Sequence, residues 1–166
     1  IKMQLIKDIN LLTEKEFLSL FGNIFEKSDW IAIKAFELKP FKNAKDLSDK
    51  MINIYEKSSK EKIIEIFNLH PKLAIEKKLT SFSSKEQMGA KLNTCTEEEL
   101  AEFKDLNEKY QTKFAFPFII AVKGKSKNDI LTSFRKRVEN NFNDEFEEAK
   151  QQVKKIASLR LIEILN

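Results

Sequence analysis

Apolar residues recur at intervals of three and four along almost the whole chain, and polar cap-forming residues precede most of these runs. The pattern predicts helices near residues 4–11, 14–21, 29–38, 46–56, 59–69, 84–92, 97–113, 127–139 and 144–165. Capping-box pairs mark several starts: Thr13 with Glu16, Ser58 with Glu61, Ser83 with Glu86, Thr96 with Glu99, and Ser126 with Asp129. Pro40 ends the third helix. One stretch breaks the pattern: Phe114-Ala115-Phe116-Pro117-Phe118-Ile119-Ile120-Ala121-Val122 is apolar throughout, with a proline inside. It reads as a buried extended segment, or as a short helix broken by Pro117, and Gly124 closes it. An isolated extended segment has no ladder, so side chains, helix ends, water or a ligand must meet its backbone groups. The expected fold is all-α. It is a compact single-domain bundle of about eight or nine helices over residues 1–166, with one short extended apolar segment near 114–122.

Composition sharpens this picture by exclusion. Three glycines and three prolines are too few for a turn-rich sandwich or barrel, and the fourteen phenylalanines read as core filling. The net charge of +4 is spread over interleaved lysines and acids, with Lys123, Lys125 and Lys127 as the densest cationic patch. No recognition motif or arginine cluster accompanies that charge, so no nucleic-acid partner is expected. No apolar run is long enough to span a membrane, and no secretory segment is visible, so no membrane partner is expected either. The final Ile164-Leu165-Asn166 is not a peroxisomal tripeptide, and the expected location is cytoplasmic. One cysteine and one histidine leave no disulfide and no multi-cysteine zinc site, and no metal is expected. Cys95 lies between Thr94 and Thr96 at a helix start, where a thiol pKa falls modestly. As a nucleophile it would have only one imidazole to work with. No glycine-rich phosphate loop is present.

That imidazole is His70, at the end of the stripe Ile63, Phe67 (or Ile66), His70 and immediately before Pro71. The stripe aims it inward, and the proline stops the helix beside it. Histidine is the side chain whose ordinary pKa lies near neutrality, which suits it to proton transfer. A packed, hydrogen-bonded core histidine is the plainer account. Arg160 falls on the apolar stripe of the last helix, among Phe146, Ala149, Val153, Ile156, Ala157 and Ile164. A buried guanidinium needs an anion. It either snorkels to solvent or pairs with a structural carboxylate, or it clamps the carboxylate of a ligand. The Ser83–Gln87 run opens a helix, and a helix start offers free N–H groups to a polar ligand.

Several fragments together resemble one family. They are Glu26-Lys27-Ser28-Asp29-Trp30, Lys39-Pro40-Phe41 and Leu69-His70-Pro71-Lys72-Leu73. Further along come Leu79-Thr80 with Ser83-x-x-Glu86-Gln87, then Leu106-Asn107-x-x-Tyr110-x-x-x-Phe114-x-Phe116-Pro117-Phe118-Ile119, and finally Lys155-Ile156-Ala157-Ser158-Leu159-Arg160-Leu161. In this order the chain resembles the 2-oxo-4-hydroxy-4-carboxy-5-ureidoimidazoline (OHCU) decarboxylases of urate degradation.

The resemblance implies an all-helical carbon–carbon lyase, usually a homodimer, working without metal or organic cofactor. Its substrate is a small planar ureide bearing a carboxylate, and its products are (S)-allantoin and CO2. Carried over by position, His70 and Glu86 are the expected catalytic residues. Pro71, Ser83, Ser84, Lys85, Glu86, Gln87, Phe118, Ile119, Ile120, Ala121, Val122 and Arg160 form the expected substrate-binding set. Two features depart from the family pattern. Lys72 replaces an acid, and Ala74-Ile75-Glu76 replaces a segment that holds glycine. Two further readings stay open. One is the same scaffold with lost or altered activity; the other is a non-catalytic helical interaction domain.

Overall fold

Hydroxyl side chains set where most helices begin. Thr13, Thr96 and Ser126 each accept the N–H of the residue three positions on, and Glu16, Glu99 and Asp129 accept the cap residue's own N–H. The computed structural model describes residues 6–75 and 79–166, and the regular structure among them is helical. Residues 4–5 of the first expected helix and Glu76 of the segment after His70-Pro71 lie outside the described residues.

Three starts differ from the expectation. Asn43 accepts the Asp46 N–H and opens its helix at Ala44. Ser59 accepts from Lys62 at the next start, while Ser58 donates to the Ile54 carbonyl and finishes the helix before it. Thr80 accepts the Ser83 N–H, so that helix begins at Ser81 and the Ser83–Glu86 pair lies inside it. In each case a polar side chain slightly upstream satisfies the orphan N–H groups first.

The described chain divides into two compact units. One runs up to Leu69 and resumes at Lys154–Asn166; the other is His70–Val153. In the first, the helices are α1 (Ile6–Ile9), α2 (Glu14–Phe21), α3 (Trp30–Phe36), α4 (Ala44–Glu56) and α5 (Lys60–Leu69). Helix α3 packs on both α2 and α4. Phe17 anchors the interior, with its ring 4.7 Å from Phe21, 5.5 Å from Phe36 and 6.0 Å from Phe41. The Asn10 amide brackets the Phe41 peptide, donating to its carbonyl at 2.9 Å and accepting its N–H at 2.7 Å.

The second unit holds α6 (Ser81–Gly89), a 3-10 turn (Leu92–Thr94), α7 (Glu97–Phe114), α8 (Lys127–Arg137) and the first part of α9 (Phe142–Leu165). Tyr110 lies at the centre of its aromatic core, with Phe114, Phe116, Phe118 and Phe134 all within 6 Å of its ring. Phe118 and Phe134 stack at 3.9 Å. Arg135 pairs with Glu102 through two guanidinium nitrogens, and Lys127 with Glu99, tying α8 to α7. Lys127 also donates to the Thr94 carbonyl, so the third lysine of the cationic patch is built into the fold. Beside it, burial and then the Glu99 carboxylate push the Cys95 thiol up, opposite to the sequence expectation. No described helix is long and apolar enough to cross a membrane.

Helix α7 ends on Ala115 in the left-handed region, φ 61°. An alanine pays about 1–2 kcal/mol for that conformation, and glycine avoids it at an entropic cost of about 0.5–1 kcal/mol. Ala115→Gly is therefore expected to stabilise the chain by up to about 1 kcal/mol in urea unfolding. A loss of stability would contradict this account of the helix end.

Candidate functional site

His70 opens the second unit. It follows the last residue of α5, is 8% exposed, and precedes a turn at residues 73–75. Two buried amides hold that turn. Asn107 of α7 donates from Nδ2 to the Leu73 carbonyl at 3.2 Å, and Gln87 of α6 accepts the Ala74 N–H on Oε1 at 3.1 Å. These bonds fix the orientation of both amides. The other end of each, Gln87 Nε2 and Asn107 Oδ1, is buried without a hydrogen-bond partner among the described residues. Such groups cost stability unless water or a ligand meets them. Ala74 has φ 67°, a conformation that glycine adopts without strain.

Helix α6 turns a polar face inward. Ser83 and Gln87, one turn apart, are buried, Glu86 is half-buried next to Gln87, and Lys85 is exposed. A helix that buries serine and glutamine rather than leucine is the informative exception to ordinary packing.

From Pro117 to Val122 the chain has no regular secondary structure. Side chains meet peptide groups of this segment: the Ile119 carbonyl accepts from Arg137 Nη1 at 2.8 Å, and the Ala121 N–H donates to Gln152 Oε1 at 2.9 Å. A planar trans peptide points its C=O and N–H to opposite sides, so the Ile120 N–H points away from Arg137 and the Ile120 C=O points away from Gln152. The Ile120 N–H and C=O make no hydrogen bond among the described residues, although Ile120 is buried. A buried residue with its own N–H and C=O both open is rare, and it presents a donor beside an acceptor. The Phe118 ring is committed to the core against Phe134, which leaves its backbone for any ligand contact.

Behind this segment lies a buried ion pair. Arg137 binds Glu145 through Nε and Nη2, the latter at 2.7 Å, and its guanidinium stands 4.3 Å from the Phe118 ring centroid. Tyr110 donates its hydroxyl to the same carboxylate. Burial, reinforced by Glu145, holds the Tyr110 phenol protonated well above its usual range.

Arg160 belongs to the first unit and is 1% exposed. Its Nη1 donates to the Asn23 carbonyl at 2.9 Å and lies 3.5 Å from both the Ile24 carbonyl and Glu26 Oε1. The 23–28 loop is itself braced, because Asn23 accepts the Lys27 N–H and donates to Glu26. Snorkelling is thus ruled out for Arg160, whose Nη1 is held by the 23–26 segment.

The OHCU decarboxylase family model matches residues 10–162. The chain belongs to the OHCU decarboxylase family. It is 39% identical over 162 residues to the uric acid degradation bifunctional protein of Bacillus sp. (strain TB-90), covering 98% of this chain but only 32% of that one. With the 2-oxo-4-hydroxy-4-carboxy-5-ureidoimidazoline decarboxylase of Haloferax volcanii it shares 34% identity, over 95% of this chain and 94% of the relative. A solved structure of (S)-allantoin synthase matches with a TM-score of 0.79 at 29% identity, over 97% of this chain and 53% of that one. The structure of an OHCU decarboxylase in the presence of (S)-allantoin has a TM-score of 0.73 over 87% of this chain and 96% of that one; at 23% identity this is a likeness of fold.

Within this family member, the expected residues His70, Pro71, Ser83–Gln87 and Phe118–Val122 all lie in the second unit, and Arg160 lies in the first. Gln87 is bonded directly to the turn after His70. Sequence reasoning missed Asn107, Gln152, Arg137, Glu145 and Glu26 as working side chains. A usable signal existed for Arg137, which extends the buried stripe Ile130, Phe134, Arg137 just as Arg160 extends its own.

Proposed function

We infer that this chain is a carboxy-lyase that converts OHCU to (S)-allantoin and CO2 in urate breakdown, without a cofactor. The family match across residues 10–162 carries the reading. The open Ile120 peptide and the Gln87 Nε2 donor support it. In the reaction the bond between the ring carbon and its carboxylate breaks, and CO2 leaves. The electron pair enters the adjacent C=N system of the imidazoline, which serves as its own sink. The ring nitrogen takes up a proton, and a second proton adds to the neighbouring ring carbon from one face while the hydroxyl on the decarboxylated carbon loses its own and becomes a carbonyl. The protein must orient the carboxylate, stabilise developing negative charge and deliver the proton to the neighbouring carbon.

His70, the chain's only histidine, is assigned the proton transfer, with Glu86 assisting. Gln87 and the backbone of Phe118, Ile119, Ile120, Ala121 and Val122 read the donors and acceptors of the ureide, with Pro71, Ser83, Ser84 and Lys85 completing the set. Arg160 is assigned the anion anchor. A homodimer in the cytoplasm is part of the same proposal; sedimentation of the purified chain as a monomer would remove the first of these.

The test is kinetic. Freshly generated OHCU is supplied to the chain and its decay followed against the spontaneous rate. Saturable acceleration is expected, whereas decay at the spontaneous rate would overturn the assignment.

A further inference from the structure

We propose that Gln152 is a positioning residue for the ligand-reading segment, acting from behind it together with Arg137. The inference rests on the reading above, that the Ile120 peptide meets the ureide. No strand among the described residues pairs with the 117–122 segment to set its rotation about its own axis, so something else must fix which side faces the ligand. Two side chains do so. Arg137 Nη1 holds the Ile119 carbonyl at 2.8 Å, and Gln152 Oε1 holds the Ala121 N–H at 2.9 Å. Each held group shares a planar trans peptide with one of the Ile120 groups, so the Ile120 N–H points away from Arg137 and its C=O away from Gln152.

Both holders are themselves locked. Arg137 is bound by the Glu145 carboxylate. Gln152 donates from Nε2 to Glu148 Oε1 one turn earlier on α9, which fixes its oxygen toward Ala121. Both polar ends of Gln152 are thus engaged within the fold. Its effect on binding therefore passes through the backbone, as outer partners act on the groups that touch a substrate.

Gln152 is half-buried, so it is the gentler of the two to alter. Gln152→Met keeps the length and removes the acceptor. The paired change Gln152→Glu with Glu148→Gln restores an acceptor at position 152 and a donor at position 148. In steady-state assays with OHCU, Gln152→Met is expected to raise KM about tenfold with kcat within about twofold, the signature of weakened binding. Its affinity for (S)-allantoin by calorimetry should fall by a similar factor, and the paired variant should recover both within about threefold. An unchanged KM in Gln152→Met, a loss confined to kcat, or a folded paired variant that recovers nothing would overturn the inference. An active parent beside an unaffected Gln152→Met removes this inference alone. A parent that neither accelerates OHCU decay nor binds (S)-allantoin removes it together with the proposed function.

Discussion

Replacing His70 with asparagine is expected to lower kcat about a hundred- to ten-thousand-fold, equivalent to about 3–5 kcal/mol of transition-state stabilisation. His70 is the single imidazole in the chain, buried at the start of the second unit and followed by a turn that two amides clamp. Asparagine keeps a polar side chain there but cannot carry a proton near neutral pH. Ligand binding should suffer far less than turnover, because the proposed reading of the ureide rests on Gln87 and the Ile120 peptide. Stopped-flow decay of OHCU with the parent and the variant checks this. A variant within a factor of about three of the parent would take His70 out of the mechanism.

The largest expected effect on stability lies at the buried Arg137–Glu145 pair. Glu145 is fully buried, and its carboxylate meets both Arg137 and Tyr110. Glu145→Ala leaves a buried guanidinium without its anion and is expected to cost about 3–5 kcal/mol in urea unfolding. Removing both charges with Arg137→Met and Glu145→Leu should recover most of that loss, because an apolar pair of similar volume bears no uncompensated charge. The double variant loses the Arg137 hold on the Ile119 carbonyl, so its stability and its substrate affinity should separate. A cost below about 1 kcal/mol for Glu145→Ala would contradict the picture of a tightly coupled pair.

The same cluster has a consequence at high pH. The Tyr110 phenol is held protonated above its ordinary value of 10.0, first by burial and then by Glu145. Folding therefore favours the protonated phenol. This contribution is complete below pH 10 and declines as pH rises through the folded-state value, because the unfolded chain ionises first. Denaturation midpoints are expected to fall more steeply above pH 10 in the parent than in Tyr110→Phe. Parallel curves for the two would remove Tyr110 as the cause.

Much of this architecture was legible in spacing alone. Helices α2, α7 and α8 begin where Thr13, Thr96 and Ser126 placed them, because hydroxyl and acid three residues apart close both ends of the capping box. The irregular run after Phe114 was legible from its unbroken apolar character and Pro117. Helix α6 began earlier than expected because Thr80 offers a hydroxyl without an acidic partner, which makes a weaker signature than Ser83 with Glu86. The side chains that hold the irregular run were not legible. Gln152 and Arg137 are separated from it by many residues, and their contacts arise only when α8 and α9 are in place. Glu26 and Arg160 are further apart still, on either side of most of the sequence. Periodicity reports which face of a helix is inward, but not which distant partner waits there.

The handedness of the product tests the central claim most directly. OHCU generated in the presence of the chain, with circular dichroism following the allantoin as it forms, is expected to give an excess of the (S) form at a rate above the spontaneous one. Racemic allantoin formed at the spontaneous rate would contradict the account.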